Sequence, residues 1–97
     1  MENLGRKEKV YVKVMTEIDE SGRMLPRVIT WKDGRRFEID RVRAIRQAYA
    51  SSGGQGDRYT VVVNGRERYL YFERSCNIKG DVIGRWFVES NAQHINI

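Results

Sequence analysis

Hydrophobic and polar residues alternate along the first part of the chain. In "KVYVKVMTEID" the even positions include Val10, Val12 and Val14, and the positions between them include Lys13 and Glu17. A period of two is typical of a β-strand that buries one face. The alternation therefore predicts a strand over residues 9–18 with its valines directed inward.

A turn and a second strand follow this segment. In "DESGR", Gly22 can adopt a positive φ without steric cost. The only proline of the chain, Pro26, precedes "RVITWK". At the entrance of a strand a proline removes no hydrogen-bond donor from the ladder. We therefore expect the second strand to run from about Arg27 to Lys32.

The turn in "WKDGRRFEID" can be tested against the pattern on both sides of it. A three-residue loop over 32–34, with Gly34 in a left-handed bulge position, pairs Ile29 with Phe37 and Trp31 with Arg35. A two-residue loop would instead place apolar residues opposite polar ones. The bulged turn is the prediction. It directs Trp31 into the core and leaves three polar side chains in water, those of Arg36, Glu38 and Asp40.

Residues 40–50, "DRVRAIRQAYA", fit two kinds of structure. Val42, Ile45 and Tyr49 follow a helical stripe that Asp40 could cap. The absence of a turn between this segment and the preceding strand also allows that strand to continue, with a bend or a bulge. We favour the long bent strand. The glycine-rich segment 51–57, "SSGGQGD", is predicted to be a flexible loop in both cases.

The segment "RYTVVVNGRERYLYFE" contains the clearest hairpin pattern of the chain. Asn64 and Gly65 separate two runs of β-branched and aromatic residues, as in a two-residue turn. That register places Arg58, Tyr69 and Tyr71 on one face of the hairpin. We predict a second loop over 75–84, a last short strand in "GRWFVES", and a tail over 91–97.

Strand candidates separated by short turns indicate the fold class. The pattern predicts an all-β protein, a single small antiparallel barrel or roll of about five to six strands that resembles SH3-like barrels. We expect one domain over residues 1–97, with an ordered part over about 9–90. The predicted core consists of Val10, Val12, Val14, Ile29, Trp31, Phe37, Ile39, Val61, Leu70, Phe72, Trp86 and Val88.

Three stretches together resemble a known family. The string "LPRVITWKDGRRFEIDRV", then "RYTVVVNGRERYLYFE" after a glycine-rich loop, and finally "RWFVE" resemble a family of short bacterial proteins of unknown function. The resemblance covers roughly residues 10–89. It implies a bacterial source but no activity or site residue. The segment "SCNIKGDVIG" is longer than the corresponding part of that pattern.

Length, charge and cysteine content narrow the function classes. A chain of 97 residues has room for one small core, so a surface binding mode is expected before a deep cavity. The net charge of +5 favours acidic partners, nucleic acid first. The chain has one cysteine, Cys76, and one histidine, His94, which excludes an internal disulfide and a structural zinc site. We expect a cytoplasmic protein without a membrane span or a cofactor.

Aromatic and basic residues supply the candidate binding site. Arg58, Tyr69 and Tyr71 share a hairpin face, and single-strand binders use such interleaved arginines and aromatic rings. The alternative is that the barrel covers this face and the tyrosines pack in a core. A second group of arginines lies nearby in the sequence. Its positive charge could serve binding, or it could simply pair with Glu38 and Asp40. This second cluster consists of Arg35, Arg36, Arg41, Arg43 and Arg46.

No residue pattern indicates catalysis. Cys76 lacks a positioned base, "GGQG" lacks the helix that phosphate-binding loops require, and acids in turns make poor general acids. The leading hypothesis is therefore a small non-enzymatic β-barrel binding module whose biochemical activity the sequence does not name. Within it, the preferred version is binding of nucleic acid, single strands first, through the basic and aromatic residues. The alternative is a protein-interaction module that uses an exposed strand edge, either "GRWFVE" or the first strand.

Overall fold

The computed structural model describes residues 7–49, 55–76, 79–80 and 82–91. All regular structure in these residues is β-strand, which confirms the predicted fold class. The strands are β1 (Lys7–Ile18), β2 (Met24–Thr30), β3 (Arg36–Glu38), β4 (Arg41–Tyr49), β5 (Gln55–Val63), β6 (Arg66–Cys76) and β7 (Val82–Asn91).

One antiparallel sheet with the order β3-β2-β1-β7-β6-β5-β4 curls into a half-barrel. The long strand β1 makes the curl possible because its two halves have different partners. Residues 7–12 pair with β7, and residues 13–18 pair with β2. The order also corrects the expected edges: β1 and the "GRWFVE" strand β7 lie inside the sheet, and β3 and β4 are its edge strands.

Strand β2 begins earlier than predicted. It starts at Met24, so Pro26 lies inside the strand rather than at its entrance. Pro26 is opposite Thr16, where the register of β1 shifts by a bulge. A bulge is one of the few places where a strand accepts a proline, because the ladder is already interrupted there.

The bulged turn after Trp31 is confirmed. The Gly34 N–H donates to the Trp31 carbonyl oxygen at 2.9 Å, and the Trp31 N–H donates to the Arg35 carbonyl oxygen at 2.8 Å. Gly34 has a φ of 91°, which only glycine adopts readily. Ile29 then pairs with Phe37, and Trp31 is buried as predicted.

Residues 41–49 form a strand and not a helix, as favoured, and the strand has a bulge between Val42 and Ala44. The continuation from β3 is broken at residues 39 and 40, whose N–H groups donate to two different strands, β2 and β5. The Ile39 N–H donates to the Arg27 carbonyl oxygen of β2, and the Asp40 N–H donates to the Val62 carbonyl oxygen of β5. This break raises the number of strands to seven, against the predicted five to six.

Both predicted loops are shorter in the structure. Residues 55–57 belong to β5, and the predicted flexible positions 51–54 lie outside the described residues. Cys76 pairs with Val82, so β6 and β7 extend well into the predicted 75–84 loop. Ladder hydrogen bonds carry these strands past the end of the hydrophobic pattern. Asn91 ends β7, and the rest of the tail, with His94, is also outside the described part.

The hairpin at Asn64 and Gly65 has the predicted register. Both turn residues have positive φ, 52° and 76°, as a type I′ turn requires. Tyr59 pairs with Leu70, and both side chains face the inside of the half-barrel.

The core lies on the concave side of the sheet. All of the predicted core residues belong to it, as fully or partly buried members. The structure adds Tyr59, Val63, Met24 and Val42. The Trp86 indole packs against Tyr59 and Phe72 and donates a hydrogen bond to the Thr16 hydroxyl at 3.1 Å.

Candidate nucleic-acid interface

The convex side of β4 and β5 carries three arginines, Arg41, Arg46 and Arg58, that form no ion pair with another described residue. Arg46 of β4 is directly opposite Arg58 of β5, and Arg58 is opposite Tyr71 of β6. Like charges in directly opposite positions destabilise a sheet. We call this surface, formed by Arg41, Arg46, Arg58 and Tyr69, the basic face.

Arg58 and Tyr69 form the centre of the basic face. The Arg58 guanidinium carbon lies 4.3 Å from the centre of the Tyr69 ring, in cation–π contact. Tyr69 remains 50% exposed. The Arg58 Nε atom is buried and has no hydrogen-bond acceptor, and no ion pair of Arg58 occurs among the described residues. Among the described residues, the Arg58 guanidinium therefore contacts the Tyr69 ring and no carboxylate.

Tyr71 shares the face of Tyr69, as predicted, but its ring is not available for stacking. Its exposure is 4%, and the ring stacks on Phe87 with centroids 4.9 Å apart and an interplanar angle of 6°. The Tyr71 hydroxyl donates to Glu89 at 3.3 Å. The two tyrosines therefore have different roles. Tyr69 is exposed enough to bind a ligand, as the binding hypothesis requires, and Tyr71 packs in a second core, as the alternative predicts.

The arginines of β4 differ from one another in their partners. Arg43, at the bulge, forms an ion pair of 2.7 Å with Glu67 across β5. Arg41 and Arg46 are exposed, and no ion pair of either occurs in the described part of the chain. Within the described residues, two cations of the strand therefore have no ion-pair partner.

Arg35 and Arg36 do not join the basic face. They belong to the hairpin of β2 and β3, at the other edge of the sheet from β4. Arg35 forms an ion pair of 2.6 Å with Asp33 inside its own turn and lies over the Phe37 ring. Arg36 is exposed on β3. The predicted cluster of five arginines is thus two separate groups.

The expected pairing of these arginines with Glu38 and Asp40 is wrong. Both acids are exposed, and the ion pairs of the described residues involve other carboxylates. For the arginines of β4 the break at residues 39–40 lies between them and Glu38, and Arg35 pairs with Asp33 instead.

A second charged cluster on the convex side was not predicted. The Glu73 carboxylate of β6 accepts hydrogen bonds from the Lys9 ammonium and the Tyr11 hydroxyl, each at 2.7 Å, and lies 3.5 Å from the Arg85 guanidinium. The Glu73 side chain is only 12% exposed. Lys9 also lies over the ring of Phe87. We call these residues the Glu73 cluster.

Two opposing effects act on the pKa of Glu73. Burial works to raise the pKa, but hydrogen bonds from Lys9 and Tyr11 and the nearby positive charges lower it below the ordinary value of 4.5. The same contact raises the pKa of Lys9, through its hydrogen bond to Glu73 and against the effect of desolvation. The ion pair is therefore charged at neutral pH.

One sequence feature could have indicated the second core. Trp86 and Phe87 are adjacent large aromatic residues in one strand, so they must point to opposite faces. Both are buried, which requires that both faces of β7 are covered. The sequence prediction assumed that each strand buries only one face, so it missed the second core.

The described residues lack the ligand groups of a metal site and a membrane-crossing helix. They contain no group of three or more histidine, cysteine or acidic side chains that could hold a metal ion. None of their secondary structure is a helix of the length and apolarity that a membrane crossing requires.

Comparison with known proteins adds no functional assignment. No protein-family model, curated protein or solved structure matches the chain. The resemblance to short bacterial proteins of unknown function therefore stays a prediction, and the function has to be argued from the residues of the basic face.

Proposed function

We propose that this protein is a small non-enzymatic binding module that holds single-stranded nucleic acid on its basic face. The observation that carries the proposal is the contact of Arg58 with a half-exposed Tyr69. Together these two side chains offer a cation for a phosphate and a ring for a base, the combination that sequence-tolerant single-strand binders use.

The neighbouring arginines extend this surface along the strand direction. Arg46 stands directly opposite Arg58, and Arg41 lies further along β4. A phosphodiester backbone would relieve the repulsion between Arg46 and Arg58 and neutralise charges that have no carboxylate partner in the described part of the chain. Single strands fit better than a duplex because only unpaired bases can leave the stack and lie on Tyr69.

Salt dependence tests the electrostatic part of this proposal. With three phosphates contacted, the affinity for a single strand should fall roughly 20-fold between about 50 mM and about 200 mM salt, from a slope of about 0.7 per contact. Fluorescence anisotropy of labelled single-stranded and duplex oligonucleotides measures both affinities. Arg46→Ala should lower the slope by about one contact. Arg36→Ala, an exposed arginine on the other edge of the sheet, should leave it unchanged.

The result that would end the proposal is an absence of binding to every oligonucleotide at the lower salt concentration. Equal slopes for Arg46→Ala and Arg36→Ala would show that the charge acts only through the net total, and the basic face would lose its role.

Removal of the Tyr69 ring tests the stacking part. We expect Tyr69→Ala to weaken binding by about 1–3 kcal/mol, because a base loses its stacking surface and Arg58 loses the ring that holds it. Tyr69→Phe keeps the ring and should bind as the wild type does. Anisotropy titration of the same single strand measures both variants. An Ala variant with unchanged affinity removes the stacking claim.

A second candidate function follows from the edge position of β4. This nine-residue strand ends the sheet and exposes Ile45, so it could pair with an extended segment of a protein partner. Pairing of this kind depends on main-chain groups and apolar contact, so it should be only weakly salt-dependent. The salt titration therefore separates the two candidates.

A further inference from the structure

A row of directly opposite residues crosses five strands on the convex side of the sheet. Arg46 of β4 is opposite Arg58 of β5, and Arg58 is opposite Tyr71 of β6. Tyr71 is opposite Phe87 of β7, and Phe87 is opposite Tyr11 of β1. Directly opposite residues of antiparallel strands lie on the same face of a sheet. The basic face is therefore continuous with an aromatic row that ends at Tyr11.

The aromatic row is buried at its middle and exposed at both sides. Tyr71 and Phe87 stack on each other and have almost no exposed surface. Beyond this last described pair of their ladder, β6 and β7 separate into a cleft that Tyr69 borders. On the other side, Tyr11 is 38% exposed and forms a T-shaped pair with Phe87. Tyr69 and Tyr11 are the exposed rings among the aromatic side chains that the structure describes.

Each of the two exposed rings is in contact with an arginine. The Arg85 guanidinium carbon lies 4.1 Å from the centre of the Tyr11 ring, as that of Arg58 lies 4.3 Å from the centre of the Tyr69 ring. Aromatic rings and guanidinium planes are the surfaces on which proteins stack unpaired bases. Tyr11 and Arg85 therefore repeat, on β1 and β7, the arrangement on which the proposed function depends.

The charge around Tyr11 is more nearly balanced than that of the basic face. In the Glu73 cluster, one carboxylate lies 2.7 Å from the Lys9 ammonium and 3.5 Å from the Arg85 guanidinium. On the other side of the row, the Glu89 carboxylate accepts a hydrogen bond from the Tyr71 hydroxyl. A phosphate would meet less free positive charge here than on the basic face. A contribution from Tyr11 should therefore come from stacking and not from ion pairing.

We propose that Tyr11, with Arg85 over its ring, is a second stacking position for the bound single strand, which crosses the sheet from the basic face to β1. This inference rests on the proposed function, because the charge that attracts the strand lies on the basic face. Adjacent strands of a sheet are about 4.8 Å apart, so the row from Arg46 to Tyr11 spans roughly 19 Å. Neighbouring phosphates of a stacked strand rise by about 3.4 Å. The site should therefore cover at most about six nucleotides, within the known range of about 4–16.

The length of the nucleic acid tests the second stacking position. A hexanucleotide can reach both rings, whereas a trinucleotide should stay on the basic face, where Arg46 and Arg58 attract its phosphates. Tyr11→Leu should weaken hexanucleotide binding about fivefold or more, because leucine packs against Phe87 but offers a base no ring. The same variant should leave trinucleotide affinity unchanged. Fluorescence anisotropy measures the labelled hexanucleotide directly and the trinucleotide by competition.

Matched variants distinguish stacking from other effects. Tyr11→Phe keeps the ring but loses the hydrogen bond to Glu73, and it should bind the hexanucleotide as the wild type does. Met15→Ala, at another exposed position of β1, should also leave both affinities unchanged. Tyr69→Ala should weaken the binding of both lengths. The salt dependence of hexanucleotide binding should be the same for Tyr11→Leu and the wild type, since no phosphate contact is lost.

The wild-type protein allows a test that needs no variant. Addition of the hexanucleotide should shift the NMR signals of the Tyr11 and Tyr69 ring protons, because a base stacks on each ring. Addition of the trinucleotide should shift the ring signals of Tyr69 and leave those of Tyr11 in place.

The outcomes separate the inference from the proposed function. Equal hexanucleotide affinities of Tyr11→Leu and Tyr11→Phe overturn the inference and leave the proposed function in place, and so do Tyr11 ring signals that the hexanucleotide does not shift. An equal loss for both lengths in Tyr11→Leu also overturns it, because Tyr11 would then act on the structure of the basic face. Absence of binding to both lengths by the wild type overturns the proposed function itself, and the inference with it.

Discussion

Phe87→Ala should lower the free energy of unfolding by about 3–5 kcal/mol, the usual cost of truncating a fully buried phenylalanine. Phe87 has no exposed surface, although it lies on the convex side of the sheet. Its ring stacks on Tyr71 and meets the edge of Tyr11 with centroids 5.9 Å apart. Aromatic pairs of this kind contribute about 0.5–1.5 kcal/mol beyond burial alone. The substitution removes both pairs and leaves a cavity.

Equilibrium unfolding in urea measures this loss. Met15→Ala is the control, since Met15 is 58% exposed on the same strand as Tyr11 and should cost at most about 0.5 kcal/mol. If Phe87→Ala does not fold, Phe87→Leu retains aliphatic bulk and should show a smaller loss of the same origin. A cost for Phe87→Ala no greater than that of Met15→Ala would mean that the second core contributes nothing.

The next largest effect is expected at Glu73. Glu73→Gln should cost about 1.5–3 kcal/mol at neutral pH, the range for hydrogen bonds that involve a charged group. The variant leaves Lys9 and Arg85 near an uncharged amide in a site where the carboxylate was mostly buried. Glu67→Gln supplies the comparison, because the Glu67 carboxylate is 53% exposed and its ion pair with Arg43 should be worth less than about 1 kcal/mol.

The difference between wild type and Glu73→Gln should depend on pH. The folded-state pKa of Glu73 lies below its ordinary value of 4.5, so the unfolded chain takes up the proton first as the pH falls. The stabilisation by Glu73 is therefore complete above that ordinary value and is lost as the pH falls through the folded-state pKa. Urea unfolding over a pH series should show the two proteins converging in acid. A constant difference across the series would contradict the assignment.

The Glu73 cluster also affects where positive charge is available. Lys9 and Arg85 share the Glu73 carboxylate on the β1 and β7 part of the convex side. On the β4 and β5 part, no such partner of Arg46 or Arg58 occurs among the residues that the structure describes. Uncompensated positive charge is therefore concentrated on the basic face, where the proposed strand would bind. Glu73→Gln should for this reason change stability much more than nucleic-acid affinity.

Local patterns predicted the hairpins well. The chemistry of a glycine-containing turn sets the register of the strands beside it, so the bulge at Gly34 and the turn at Asn64 and Gly65 followed from a few residues each. The common face of Arg58 and Tyr69 followed from the same register. The loop lengths were wrong because ladder hydrogen bonds extend strands through polar residues, which hydrophobic alternation does not report.

The site was only partly predictable for a related reason. Sequence placed Tyr69 and Tyr71 on one face, but their exposure differs because Phe87, on the neighbouring strand β7, stacks on Tyr71 and not on Tyr69. The break at residues 39–40 likewise separated Arg35 and Arg36 from the arginines of β4. The break has no local pattern that would reveal it, and the adjacent aromatic residues Trp86 and Phe87 indicate only that both faces of their strand are covered.

The sequence by itself determined that this protein is built from antiparallel strands, which residues of each strand face its concave core, and how adjacent strands align. Turn chemistry and a period of two act over a few residues, so they can be read directly. Only the tertiary structure decided that β1 joins β2 to β7, that β3 and β4 form the edges, and that β6 and β7 separate into a cleft. These features depend on packing between strands that are distant in the chain. That packing is set only when the whole sheet curls.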